Sequence, residues 1–346
     1  MSLESSPAAR SAAIPVALID ELLGRYGLHR QSQPTPVPGS VLNENFHVDT
    51  DDGPRFIRLH RPRASAERVR LEQSLVAWAG EHGIPVSPAL ADHNGTTLHT
   101  FSGRLVSLFP WIHGRSLQRE TVTPAESSVL GDMHGRLHAT LARYPDVGLS
   151  RDGSGTNWNT QASIDALNRI DDLIRYYPAP PPEQLRLQGV IRAQLEVLES
   201  GVARPATDFA GLRRQACHGD YHERNVLVDA SGAIIAVVDW EMAGLLPPIF
   251  ELVRAISFVR LFDSPLLEPY LDAYHRHARF TAAECHAGVE MFWQFLIHDT
   301  WVFTSRFIRG DRRVDEFLPT AGDLLARFGD PAFRSSLEAT LVRLTT

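Results

Sequence analysis

Apolar residues recur along the chain with two different periods, and the change from one to the other predicts where strands give way to helices. Over 15–27, Val16, Leu18, Ile19, Leu22 and Leu23 fall at helical spacing and Gly27 stops the run. A stretch rich in Pro, Ser and Gln leads to Gly39. A hairpin is then expected: one arm runs from Gly39 to Val48, the turn is Asp51-Asp52-Gly53, and the other arm is Pro54–Pro62. Helical spacing returns over 64–83, around Leu71, Leu75 and Trp78. Strands are expected near 88–92 and 96–101, followed by the apolar run Leu105–Phe109, which ends at Pro110 and a Gly-containing loop.

Beyond that loop the pattern is mainly helical. Thr123-Pro124-Ala125-Glu126 reads as a capping box with Pro at the first helical position. Leu130, Met133, Leu137 and Leu141 carry the helix to about Tyr144. His134 and His138 lie four apart on it, a spacing open to metal binding but more common in a core or groove. Helices over 161–177 and 183–200 are split by the Pro178–Pro182 stop. Two short apolar strands, about 225–229 and 234–239, flank the turn residues Ala230-Ser231-Gly232-Ala233 and predict a second hairpin. Pro247-Pro248 opens another helix, and a long one is expected over 282–308 with Met291, Phe292, Phe295, Leu296, Trp301 and Phe303 on its apolar side.

Composition narrows the class. The 346 residues suffice for two lobes with separate cores. The formal net charge of -7 argues against a nucleic-acid partner, and no run of 18 apolar residues predicts a membrane span. Residues 1–14 read as a disordered arm rather than a secretory signal. Two cysteines give neither a disulfide framework nor a metal cluster, so a cytoplasmic protein is expected. The chain contains no lysine; all 34 basic residues are arginine.

The second hairpin sits next to the chemistry. His218-Gly219-Asp220 is followed after four residues by Asn225, and the second strand ends in Asp239-Trp240-Glu241. Hairpin closure returns Asp239 toward Asn225, so Asp220, Asn225 and Asp239 converge. One carboxylate at an acceptor hydroxyl and oxygen ligands for magnesium are what phosphoryl transfer from ATP needs, and Asp-x4-Asn is the protein-kinase catalytic-loop spacing. His218 reads as a hydrogen-bonded prop for the loop.

These residues resemble the aminoglycoside phosphotransferase and choline kinase family of small-molecule kinases, whose pattern is His-Gly-Asp-x4-Asn and then a hydrophobic strand ending in Asp. The shared layout covers about residues 16–310. The resemblance implies an α+β, protein-kinase-like fold of two lobes: a small antiparallel-sheet lobe over 15–107 that binds nucleotide, and a mainly helical lobe over 108–346 that binds substrate. It implies ATP and Mg2+ as cofactors, Asp220 as catalytic base, and Asn225 and Asp239 as metal ligands. Arg58 stands where the family carries Lys or Arg for the nucleotide phosphates, and a helix carboxylate should pair with it: Glu72, with Glu67 as competitor. Ser40 and Asn45 belong to the nucleotide-covering hairpin, and backbone groups near Ser107 to Phe109 should meet the adenine. Glu241 is a candidate for the metal or for a substrate amine. Glu290, Asp299 and Trp301 lie on helices that wall the family's acceptor site. The family usually has Asp where Glu251 stands, bonded back to the catalytic loop. The expected partner is a small-molecule hydroxyl compound, with the acceptor open among antibiotics, amino alcohols, sugars and homoserine. A monomer or homodimer is expected. The competing reading, prompted by the missing lysine and by Glu251, is a nucleotide-binding scaffold of the same fold without transfer activity.

Overall fold

The computed structural model describes residues 16–37, 43–145, 149, 156–176, 182–258, 261–263 and 265–345. The expected arm over 1–14, Gly39 and Ser40 lie outside these residues. The chain divides into two compact units, one ending at Gly80 and resuming over Val86–His113, the other formed by Glu81–Pro85 and Gly114–Thr346.

The first unit contains α1 (Val16–Arg25), β1 (Thr35–Pro36), β2 (Glu44–Thr50), β3 (Gly53–Leu59), α2 (Ala66–Glu81), β4 (His99–Phe101) and β5 (Arg104–Pro110). The described strands form one antiparallel sheet in the order β1-β2-β3-β5-β4. Side chains alternate across a strand, so each strand presents one face to a core. Phe46, Val48, Ile57, Leu59, Val106 and Leu108 are buried on that face against Ile19, Leu22 and Leu23 of α1. Asn45, Arg58 and Ser107 pair directly across β2, β3 and β5.

One expected strand is absent. Residues 88–92 form no ladder; Leu90 N–H reaches the Leu108 carbonyl at 2.7 Å, and Asp92 then closes a turn by accepting from Asn94 and Thr96 N–H at 2.9 and 2.8 Å. That turn captures the backbone expected to start the next strand, so β4 begins at His99 instead of 96.

The second unit contains β6 (Arg115–Ser116), α3 (Pro124–Leu141), α4 (Thr160–Arg175), α5 (Pro182–Glu199), β7 (Gln215–Cys217), β8 (Val226–Val228), β9 (Ile234–Val237), β10 (Gly244–Leu246), α6 (Pro248–Phe258), α7 (Leu267–Tyr274), α8 (Ala282–His298), α9 (Trp301–Phe303), α10 (Leu318–Gly329) and α11 (Pro331–Thr345). The Thr123–Glu126 capping box closes the start of α3 as expected. The helix expected over 282–308 is broken after His298. Asp299 leaves helical geometry as the C-cap of one helix and accepts from Trp301 N–H, the first of the next, at 2.9 Å. Among the described residues no helix is long and apolar enough to cross a membrane.

Helices α3 and α7 meet at unusually close range. A Cβ on Gly131 would overlap the Tyr270 carbonyl, and one on Gly135 would overlap that of Tyr274. The same face of α3 carries His134 and His138, whose Nδ1 atoms sit 2.7 and 2.5 Å from the Tyr270 and Tyr274 hydroxyls. Gly131→Ala is expected to destabilise the protein by about 1–3 kcal/mol through overpacking. Gly189→Ala, on α5 with no atom near its Cβ, should instead add about 0.5–1 kcal/mol from helix propensity. Urea denaturation of the two variants measures both, and equal effects would show that the helix contact is not tight.

Candidate active site

The predicted hairpin forms from β8 and β9, with Val226 opposite Val237. Asp229 closes its turn by accepting from Ser231 and Ala233 N–H at 2.8 and 3.1 Å. The strands are shorter than expected because Asn225 and Asp239 both lie just beyond the ladder, where Val238 N–H donates to the Asn225 carbonyl at 2.9 Å. His218 ties the two ends together. Its Nε2 lies 3.0 Å from the Val238 carbonyl, and its Nδ1 accepts from Asp220 N–H at 3.3 Å. This fixes a neutral tautomer with the proton on Nε2, and burial lowers the ring's pKa in agreement.

Asp220, Asn225 and Asp239 are therefore gathered by local bonds. Asn225 Nδ2 donates to the Asp220 carbonyl at 2.9 Å and faces its Oδ2 at 3.3 Å. The carboxylates of Asp220 and Asp239 both act on His218. Asp239 adopts left-handed backbone geometry, φ 65 and ψ 61, which costs a non-glycine residue about 1–3 kcal/mol. Trp240 anchors the turn, its indole N–H donating to the Val237 carbonyl at 3.0 Å. Gly219 has φ 83, and a Cβ there would strike the Met242 carbonyl, so only glycine fits before Asp220.

The charge around Asp220 comes from two residues that the sequence reading did not single out. Arg254 Nη2 donates to Asp220 Oδ1 at 2.8 Å, and His222 Nε2 lies 3.5 Å from Oδ2. Burial alone would lift this carboxyl; the Arg254 and His222 charges outweigh it and hold the group well below the usual carboxylate range. Arg254 was detectable as the one cation in Pro248–Phe258, one turn after Glu251 and so on the same helix face.

Glu251 reaches the catalytic loop despite its extra methylene. Its Oε1 accepts from Gly219 N–H, and its Oε2 lies 2.7 Å from His138 Nε2. Burial opposes ionisation, yet the His134 ring, 4.0 Å away, and the hydrogen bond from His138 keep this carboxyl well below its ordinary range. His134 is pushed down to about 3, first by burial and then by His138. Tyr221 stacks on the His134 ring at 4.3 Å. His134, His138 and Glu251 offer ligand atoms within 4.8 Å of one another, but protons and the two tyrosines account for the arrangement.

In the first unit, Arg58 Nη1 meets Glu72 Oε1 at 3.5 Å, both side chains nearly buried; Glu67 is exposed. The guanidinium lies 5.8 and 6.0 Å from the Phe56 and Phe109 rings. These rings and Trp111 form a half-buried aromatic surface, with Phe56 5.8 Å from Phe109 and 6.5 Å from Trp111. The Ser107 hydroxyl is engaged by Gln73 at 3.0 Å and His60 at 3.1 Å, which leaves its side chain a structural task.

The remaining candidates separate. Glu241 is half-buried two residues past Asp239. Asp299 has its carboxyl raised by burial, partly countered by the hydrogen bond from Trp301 N–H and by the Arg254 charge. Trp301 is 37% exposed and packs on Phe317 at 5.8 Å. Glu290 accepts from Gln294 at 3.0 Å, within its own helix.

A profile of the phosphotransferase enzyme family matches residues 34–287. A homoserine kinase of Caulobacter sp. (strain K31) is 27% identical over 65% of this chain and 65% of its own length, so the chain spans just under two thirds of that relative. The solved structure of a spectinomycin phosphotransferase in complex with ADP and spectinomycin is similar with a TM-score of 0.63 at 14% identity, over 94% of this chain and 98% of that one. An amicoumacin kinase in complex with AMP-PNP, Ca2+ and Ami gives a TM-score of 0.58 at 16% identity, over 94% and 93%. These two establish the two-lobed, α+β kinase-like fold. The chain belongs to the phosphotransferase enzyme family.

His134 and His60 are both held neutral in the fold, His60 being lowered to about 4 by burial, Arg58 and Arg104. In the unfolded chain each protonates near pH 6.5, so below that pH the unfolded state binds more protons. Stability should fall by up to about 1.4 kcal/mol per pH unit per histidine as pH drops from about 6.5. The contribution ends near pH 4 for His60 and near pH 3 for His134. Urea midpoints between about pH 6.5 and 4.5 read this before carboxylates contribute; a flat profile would mean that these rings are solvated.

Proposed function

We propose that this protein is an ATP- and Mg2+-dependent phosphotransferase that moves the γ-phosphoryl group to a hydroxyl of a small molecule. The observation that carries the reading is the set of bonds binding Asp220, Asn225 and the Asp239 turn into one constellation through His218. The Asn225 amide oxygen and the Asp239 carboxylate are hard oxygen donors, the chemistry that magnesium prefers. The ADP and the Ca2+ with AMP-PNP that the similar structures hold support nucleotide and divalent metal use. When bound, the ion would shield the phosphate oxygens. Over 15–107, Arg58 is assigned to the nucleotide phosphates, with Glu72 holding it in place. Asn45, opposite Arg58 on β2, is assigned to the covering hairpin, and the Phe56, Phe109 and Trp111 surface suits an adenine ring. Residues 108–346 supply the base and the acceptor site, with Glu241, Asp299 and Trp301 among the candidate walls.

In the transfer, the acceptor oxygen forms a bond to the γ-phosphorus while the bond to the β-bridging oxygen breaks and ADP leaves with its electron pair. Asp220 orients the acceptor hydroxyl and takes its proton. The depressed pKa makes it a weak equilibrium base, so its contribution is alignment and late proton acceptance in a loose transition state. The two features that favoured an inactive scaffold are both accommodated: Glu251 reaches Gly219, and Arg58 pairs with Glu72 without a lysine. Arginine keeps the charge and offers a planar fork to phosphate oxygens. A cytoplasmic location, where ATP is at hand, goes with this reading.

Asp220→Asn should remain folded and still bind nucleotide while transfer falls by roughly 10²–10⁴-fold. A coupled ADP-release assay, with circular dichroism and nucleotide titration as controls, makes the measurement. Full turnover in that variant would remove the assignment.

A further inference from the structure

Helix α6 reaches the catalytic loop twice from one face. Glu251 and Arg254 lie three apart on it, so their side chains leave on the same side. Glu251 Oε1 accepts from Gly219 N–H, which places the backbone just before the base. Arg254 Nη2 donates to Asp220 Oδ1 at 2.8 Å, which places the carboxylate itself. The guanidinium is in turn held from behind. It lies on the Phe295 ring at 5.6 Å, and that ring stands edge-on to Phe250 of α6, also at 5.6 Å. Phe250 is fully buried and Phe295 nearly so, which makes the support rigid. The two oxygens of Asp220 are therefore unlike. Oδ1 is engaged at 2.8 Å, whereas Asn225 Nδ2 and His222 Nε2 stand 3.3 and 3.5 Å from Oδ2. Contacts of that length are weak, so Oδ2 keeps a lone pair for an incoming hydroxyl.

We propose that Arg254 is the positioning residue of the transfer: by holding Oδ1 it turns Oδ2 of Asp220 toward the acceptor hydroxyl. The proposal rests on the phosphotransfer reading above and deepens it. In the step, the hydroxyl proton passes to Oδ2 while the acceptor oxygen bonds to the γ-phosphorus and ADP leaves with its electron pair. Arg254 acts through Asp220 rather than on the reacting atoms. Two effects of the guanidinium oppose each other. It makes the carboxylate a poorer proton acceptor, which slows transfer, and it fixes the direction of the carboxylate, which speeds it. In a loose transition state the proton moves late, so basicity counts for little. A displacement of about 1 Å in a reacting group, by contrast, can lower the rate by roughly 10²-fold. Alignment therefore outweighs basicity. Arginine suits the task better than lysine, because its planar group can lie flat on a ring while one N–H meets the carboxylate.

A double-mutant cycle with the full chain, Mg2+ and ATP tests this by ADP release. Homoserine, ethanolamine, glucose and kanamycin are screened first, and the acceptor that the wild type turns over fastest is used throughout. Arg254→Gln should lower kcat by roughly 10- to 100-fold, the range of one charge-assisted hydrogen bond, with the KM for ATP unchanged. In an Asp220→Asn background the same substitution should lower the residual rate by less than about 3-fold, because a residue that works through the carboxylate has nothing left to align. In Arg254→Ala, guanidinium chloride well below denaturing strength should restore kcat by at least about 5-fold, since the small cation can take the vacated place between Phe295 and Asp220. Sodium chloride of equal strength should not. An unchanged or raised kcat in Arg254→Gln would overturn the proposal while leaving phosphotransfer intact. Arg254 variants that unfold, or that lose the same factor with and without the Asp220 carboxylate, would make the arginine a structural residue and overturn it likewise. A raised KM for ATP would assign the guanidinium to the phosphates instead. No turnover of any acceptor by the wild type would remove the phosphotransfer reading and this proposal together.

Discussion

An ionised carboxylate without access to water must be surrounded by donors, and Glu251 is 1% exposed. Its donors come from two directions. Gly219 N–H belongs to the catalytic loop, and His138 Nε2 belongs to α3. Removing one partner of such a buried pair costs about 3–5 kcal/mol, so the loop and the helix are locked at a common position. The lock extends outward, because His134 and His138 each hold a tyrosine of α7, and α7 is admitted only by Gly131 and Gly135. The place of Asp220 is thus set one residue away from a buried charge, and the exposed side of the loop is left for chemistry.

Two arginine–carboxylate pairs organise the two units, and they differ in kind. Arg58 and Glu72 are both buried in the first unit, and the pair fixes the direction of the cation. Arg254 and Asp220 in the second unit are partly open, with the carboxylate the more exposed member. A pair of that sort can exchange partners with an arriving ion, because water already reaches one side of it. The absence of lysine is met by the same solution twice: a guanidinium laid against aromatic rings and aimed by a carboxylate.

Much of this architecture was legible in the sequence where local chemistry decides it. The capping box at Thr123 and the hairpin turn over Ala230–Ala233 are short-range signals, and both stand where expected, the turn being closed by Asp229. The family resemblance offered Glu72 as the partner of Arg58 with Glu67 as competitor, and the pair forms with Glu72. Failures came where a side chain competes with the backbone. Asp92 turned an expected strand into a loop, and Asp299 divided an expected helix. Long-range partners were illegible for a different reason. Nothing in the spacing of His134 and His138 reveals that they would meet Glu251, 113 residues further on in the case of His138. Arg254 could be picked out as the one cation of its helix, but its partner could not, because nothing in the sequence shows that it meets Asp220, 34 residues earlier.

The left-handed backbone at Asp239 has an evolutionary corollary. Glycine occupies that region of conformational space without penalty, so a change to glycine there would relax the turn and raise thermal endurance. The oxygen donors at the end of β9 would vanish with it. Any laboratory selection that rewards heat resistance alone would thus drift toward sturdier chains with a blunted site, and only a selection that also demands turnover would hold aspartate in place.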